Sequence, residues 1–193
     1  MLKCALSLIC VISLQTFIFA QNLSSNWYSE SNDRGIIIQN SFPKGGLYAG
    51  TKKEHHNYSA LIFFSRVINK TNKTIELFVD LPSDPISIPN APNTYLELYL
   101  ASDSMTLDKQ SLFNYGFTDF DGLDSSTLIH KNLDHNEEHL FYVVAIFYQT
   151  SREARNESKG GNRSELFFDG QKLFYSMLPQ IDSMSCGFIR FTE

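Results

Sequence analysis

His135-Asn136-Glu137-Glu138-His139 fits the string H-x-x-E-H, the inverted zinc-protease pattern. That chemistry depends on a helix. One turn of helix sets the two imidazoles on one face, where both reach a single ion, and a glutamate beside them can serve as base. The flanking residues predict something else. Asp134-His135-Asn136 has turn composition, and the run Leu-Phe-Tyr-Val-Val-Ala-Ile-Phe-Tyr after His139 is rich in β-formers. A strand starting near Glu138 would put His135 in a loop and His139 in the ladder. No downstream helix is readable to supply a third ligand. The string therefore predicts a turn before a strand, with Glu137 and Glu138 solvated, and no metal site. His55-His56 and His130 complete the histidines. Neighbours on one strand point to opposite faces, so the pair would not chelate together; in a loop it could meet His135 or His139 across a sandwich.

Other catalytic patterns are missing. There is no G-x-S-x-G elbow and no phosphate-binding loop. Asp119 and Asp121 could form a carboxylate pair for glycoside hydrolysis if suitably spaced. As a calcium loop, Asp119-Phe120-Asp121-Gly122 lacks an acidic position, the glycine spacing and the closing glutamate. An ordinary loop is expected there, with no catalytic residue and no cofactor assigned.

Aromatic residues offer a different chemistry. The chain has 16 Phe, 9 Tyr and one Trp, which build sandwich cores and, where exposed, can stack on sugar rings. In the stretch Thr-Tyr-Leu-Glu-Leu-Tyr-Leu, period-two alternation puts Leu96, Leu98 and Leu100 on one face and Tyr95, Glu97 and Tyr99 on the other. Those three are the candidate ligand-binding residues.

The chain ends bound the compartment. Met1-Leu2-Lys3 precedes an apolar run that closes on Ile18-Phe19-Ala20, the form of a secretory signal peptide. Residues 1–20 are read as signal, 21–33 as a flexible leader and 34–193 as one domain. Secretion or periplasmic export follows, with no stable membrane span after cleavage, since no later segment is long and apolar enough. Removal of Lys3 makes the net charge of −5 one unit more negative. That mild acidity argues against a nucleic-acid partner, which needs a basic stripe. Cys4 and Cys10 leave with the signal, so Cys186 has no intramolecular partner and is read as packing beside Phe188-Ile189-Arg190-Phe191. Asn22, Asn57, Asn69, Asn72, Asn156 and Asn162 each begin an N-x-S/T triplet, a surface marker if the source is eukaryotic.

Strand signals dominate the remainder. Residues 58–69 and 139–150 read as long central strands and 74–81 as a half-buried one, so 58–81 is expected to form a hairpin or a closely related pair. Pro82, Pro85, Pro89 and Pro92 forbid a ladder strand and predict an extended crossover between sheets. The best helix candidate spans 104–115. Residues 151–164 read as a mobile loop, and Asp169-Gly170 as a tight turn. Eight to ten strands, at most one short helix and no βαβ alternation predict an all-β fold, an antiparallel β-sandwich of immunoglobulin-like kind.

The segments YSALIFFSRVINKTNKTIELFVDLP, IPNAPNTYLELYL and MTLDKQSLFNYG resemble a group of small secreted proteins of Bacteroidota, as do NLDHNEEHLFYVVAIFY, QKLFYSM and CGFIRF. The resemblance covers most of the mature chain. It implies a bacterial source and export beyond the inner membrane, and it carries no activity, substrate or site residue. Asp103-Ser104-Met105 and Asp182-Ser183-Met184 match the short pattern used for periplasmic O-glycosylation in that phylum. The expected function is a non-enzymatic module binding a protein or a glycan. The alternatives are a secreted hydrolase with a loop-built site, and an envelope or surface assembly component whose exposed edge strand pairs with a neighbour.

Overall fold

A computed structural model describes residues 26–51, 54–89, 91–123, 128–151, 162–179 and 181–192. Among these residues, twelve strands form two antiparallel sheets that pack face to face. Sheet A runs in the order β1 (Ser29–Asp33), β2 (Ile36–Asn40), β4 (His56–Asn69), β9 (Glu138–Gln149), β7 (Thr94–Ser104), β6 (Ile86–Ser87). A short β3 (Lys44–Leu47) continues the position of β2 alongside β4. Sheet B runs β10 (Arg163–Asp169), β11 (Lys172–Leu178), β12 (Ile181–Phe191), β5 (Ile75–Val79), β8 (Ile129–Leu133). The all-β sandwich expectation holds. The sheets contain more strands than a constant immunoglobulin domain. Among the described residues no helix is long and apolar enough to cross a membrane.

Several local readings need correction. Residues 58–81 are not a hairpin: β4 belongs to sheet A, and β5 pairs with β12 and β8 in sheet B. The polar stretch between them is an arch that carries the chain across the sandwich. No α-helix forms at 104–115; two 3-10 turns, Leu107–Ser111 and Phe113–Gly116, stand there instead. Positive φ at Asn114, Tyr115 and Gly116 breaks any helical continuation. The leader is ordered into the sheet from Ser29 on, as β1 paired with β2. The signal segment and the N-x-S/T triplets at Asn22 and Asn156 lie outside the described residues, as does most of the 151–164 loop. The proline-rich crossover from sheet B to sheet A is as expected, with only two-residue β6 between Pro85 and Pro89.

The near-continuous burial of β4 and β9 has a specific cause: sheet A is covered on both faces. Phe63, Val67, Phe141, Val143 and Ala145 face sheet B and meet Leu77, Val79, Leu173, Tyr175 and Ile189 in the inter-sheet core. The alternate residues Ala60, Ile62, Phe64, Tyr142, Val144 and Ile146 face outward, beneath a cap of Met105, Tyr115, Phe117, Phe120 and Leu123. The cap is the 3-10 segment and the loop after it, so the fold has three layers. Cys186 lies in the inter-sheet core, its thiol pushed up to about 12, chiefly by burial.

Two asparagines join the layers. Asn40 is buried, and its side-chain amide imitates a strand neighbour for β10: Nδ2 donates to the Leu166 carbonyl at 2.9 Å, and Oδ1 accepts the Leu166 N–H at 3.0 Å. Ser65 donates to the same Oδ1 at 2.8 Å. Asn69 secures the β4–β5 arch. Its Nδ2 donates to the carbonyls of Lys73 and Leu133, and its Oδ1 accepts from the Thr71 N–H and hydroxyl. Fully buried and wholly engaged, Asn69 is no surface acceptor, whatever its triplet suggests; Asn57 and Asn72 are exposed.

Candidate functional site

The H-N-E-E-H string forms the second arch, from β8 to β9, which lies beside the first. Asn136 N–H donates to the Asn69 carbonyl, and Asn69 N–H donates to Glu137. Nδ1 of His135 lies 2.6 Å from the Thr71 carbonyl oxygen, so that nitrogen carries the proton and donates it. Glu137 accepts the Asp134 N–H at 2.8 Å, and Glu138 pairs with Arg66 across the sheet. Glu138 and His139 lie in β9, His135 in the turn, so the two histidines share no helical face. Among the described residues no group of three His, Cys, Asp or Glu side chains is arranged to hold a metal ion. Asp119 and Asp121 are likewise structural: Asp119 accepts the Gly122 N–H, and Asp121 accepts from the N–H and hydroxyl of Thr51.

Tyr95, Glu97 and Tyr99 share the outer face of sheet A, opposite Leu96, Leu98 and Leu100. This part of the face lies at the sheet end where the aromatics gather. Tyr95 pairs in register with Tyr148 on β9, and their rings stack at 5.7 Å and 20°. Tyr58 of β4 tilts against Tyr148 from the other side, at 5.6 Å. His55, just before β4, stacks on Tyr148 at 4.5 Å and 11°. Three adjacent strands thus contribute one tyrosine each to a continuous row, with an imidazole on its middle member. Tyr48 joins Tyr58 at 5.3 Å and meets Phe120 edge-on at 5.5 Å, which ties the row to the cap.

Glu97 supplies the charge within this cluster. Tyr99 donates its hydroxyl to the Glu97 carboxylate, whose charge also acts on Tyr148. Burial first, then Glu97, pushes the Tyr148 phenol up to about 12, and the same causes raise Tyr99 further. Both phenols therefore stay protonated. Tyr148 is buried as the floor, while His55, Tyr58, Tyr95 and Glu97 are half-buried and accessible around it. Tyr99 is also half-buried but leans into the outer core. Sequence reasoning identified the β7 members and missed His55, Tyr58 and Tyr148. Only strand register brings these together, and one available signal was the tyrosine near an end of each long apolar run.

Comparison with known proteins finds no matching family model, no similar curated protein and no similar solved structure.

A cleft opens between the sheets, away from the tyrosine row. The β7–β9 register breaks between Leu100 and Ser104, and the displaced residues border a cleft of about 450 Å³ with β8 and the start of β9. Asp103, His130, Lys131 and His139 line it. His130 Nε2 donates to Glu76 at 2.7 Å, and Glu76 also accepts from Arg190 at 2.5 Å. Those hydrogen bonds, Arg190 first, hold the Glu76 carboxyl below its usual range. His139 is half-buried, and desolvation, then the Lys131 charge, lowers its pKa below 6.5.

The sign of that shift sets a pH dependence. Below pH 6.5 the unfolded chain takes up a proton at His139 more readily than the folded one, so stability falls as the pH drops from there toward the folded pKa. Glu76 acts in the lower window, where stability is lost as its carboxylate protonates. Urea midpoints at pH 7.5 and 5.5 are expected to drop less in His139→Gln than in wild type. Equal drops would place the pH sensitivity elsewhere.

Proposed function

We propose that the protein is an exported, non-catalytic binding module that holds a carbohydrate on the outer face of sheet A. The observation that carries this reading is the row Tyr95–Tyr148–Tyr58 with His55 stacked on its centre. A sugar ring has an apolar C–H face and a rim of hydroxyls. Rigid aromatic faces suit the former, and a fixed carboxylate suits the latter. Glu97 is held in place by the Tyr99 phenol and keeps acceptor capacity for ligand hydroxyls. The platform rests on strands of a doubly covered sheet, so little ordering is lost on binding. Export rests on the N-terminal signal pattern.

Isothermal titration against cello-, malto-, xylo- and N-acetylglucosamine oligosaccharides tests this. At least one series is expected to bind, and Tyr95→Ala should weaken it by about tenfold, roughly 1.4 kcal/mol, with an unchanged melting temperature. The reading fails if none of the four series binds, or if binding ignores both Tyr95→Ala and Tyr58→Ala.

A further inference from the structure

The inner faces of a sandwich carry apolar side chains, because a charge placed between the sheets gives up its water. At one end of this molecule both sheets break that rule at the same place. Lys131 lies on the inner face of β8, the face that Ile129 and Leu133 give to the core, and it is in register with Leu77. His139 lies on the inner face of β9, in line with Phe141 and Val143. Both line the cleft of about 450 Å³, and the Lys131 charge acts on His139. Two basic side chains thus converge on one space from facing sheets.

No anion of the fold answers them. Among the described residues Lys131 enters no ion pair. The carboxylate on the lining, Asp103, pairs with neither basic group, and its charge acts on Tyr142, on the outer face of sheet A. His130 is occupied, since its Nε2 donates to Glu76 at 2.7 Å. An inward lysine on an edge strand also repels a pairing chain. That role does not account for His139, because β9 lies inside sheet A between β4 and β7. The rest of the lining is largely apolar. The His139 ring stacks on Phe141 at 5.9 Å and 25°, and Ile129 and the 58% exposed Leu128 also border the space. The register break in β7 between Leu100 and Ser104 forms one rim, a kind of irregularity that strands carry beside functional sites.

We propose that this cleft binds a small organic carboxylate, its oxygens between the Lys131 ammonium and the His139 imidazole and its apolar body against Phe141, Ile129 and Leu128. The charge count selects the class. One ammonium balances one carboxylate, and a neutral imidazole adds a single N–H donor for the second oxygen. A phosphate group brings more charge and a third oxygen, and the lining holds no arginine to meet them. The volume, about 450 Å³, lies toward the lower end for ligand pockets, about 300–1,000 Å³, which favours a compact molecule. No residue of the tyrosine row lines the cleft, so carboxylate binding is separable from carbohydrate binding.

Isothermal titration of the purified chain with hexanoate and phenylacetate tests it, with 1-hexanol, hexylamine and inorganic phosphate as comparators. At least one carboxylate is expected to bind with a dissociation constant of about 1 mM or tighter, and each comparator more weakly. Lys131→Gln should weaken that binding about tenfold with an unchanged melting temperature, since the lysine holds no ion pair in the described fold. Lys131→Arg should retain most of it. The bound anion should also raise the pH at which the His139 ring protons titrate in NMR spectra, because an opposite charge favours the imidazolium. No binding of either carboxylate at about 10 mM overturns the proposal. So does 1-hexanol, hexylamine or phosphate binding as tightly as the carboxylates, binding indifferent to Lys131→Gln, or a His139 titration that ignores the ligand.

Discussion

Asn40→Leu is expected to cost about 3–5 kcal/mol of unfolding free energy, read as a lower urea midpoint. Leucine approximates the shape of asparagine, so packing is nearly kept and the loss isolates the hydrogen bonds. Three buried groups lose their partner: the N–H and C=O of Leu166 and the hydroxyl of Ser65. Each buried group left unsatisfied costs about 1–3 kcal/mol. The amide also draws β10 against β2, so its loss loosens the contact between the sheets at that edge. Asn40→Asp should fall between, because it keeps an acceptor for Leu166 and Ser65 but loses the donor and buries a carboxylate. A cost under about 1 kcal/mol for Asn40→Leu would mean that β10 is held by its apolar side chains alone.

Gly187→Ala is the second large effect, about 3 kcal/mol or more. Gly187 lies in β12, in register with Val79 of β5 and Leu173 of β11. Its φ is +146°, and an added Cβ would stand 2.0 Å from the Phe78 carbonyl oxygen. Backbone cannot yield as a side chain tip can, so the strands must part. Gly170→Ala is the control. That residue has φ +67° but nothing near its Cβ position, so only the left-handed conformation is penalised, at about 1–2 kcal/mol. Equal costs in the two variants would show that conformation rather than space governs Gly187.

The class of fold was legible because it is written in period-two alternation and punctuation. Ile75, Leu77 and Val79 alternate with Glu76 and Phe78, and the four prolines mark a crossover. The partner of each strand was less accessible. A polar turn of five or six residues serves a hairpin or an arch equally well, and Asn69 decides for the arch through contacts with Leu133 and residues 136–137 that no local pattern displays. The helix candidate failed because Leu107, Leu112 and Phe113 mimic helical spacing, whereas Tyr115 must turn back into the outer core. The candidate site was half legible. Alternation alone placed Tyr95, Glu97 and Tyr99 on one face, but Tyr58 and Tyr148 join them only through the register of β4, β9 and β7. That the zinc-like string is a turn running into a strand was legible from its β-rich flank. Its contacts, which brace one arch against another, lie between residues far apart in sequence that no local pattern pairs.

The position of β12 has a consequence for how the molecule assembles. It is the last of the described strands in sequence, yet it sits at the middle of sheet B between β11 and β5, with Phe191 opposite Ile75. Sheet B therefore cannot close until residues more than a hundred positions apart have met, and the two arches deny β4 and β5, or β8 and β9, a quick local nucleus. Such high contact order places folding in the millisecond-to-second range. It also leaves a chain shortened before Ile181 with two unjoined fragments of that sheet, a state in which adhesive strands would be presented to every other chain nearby.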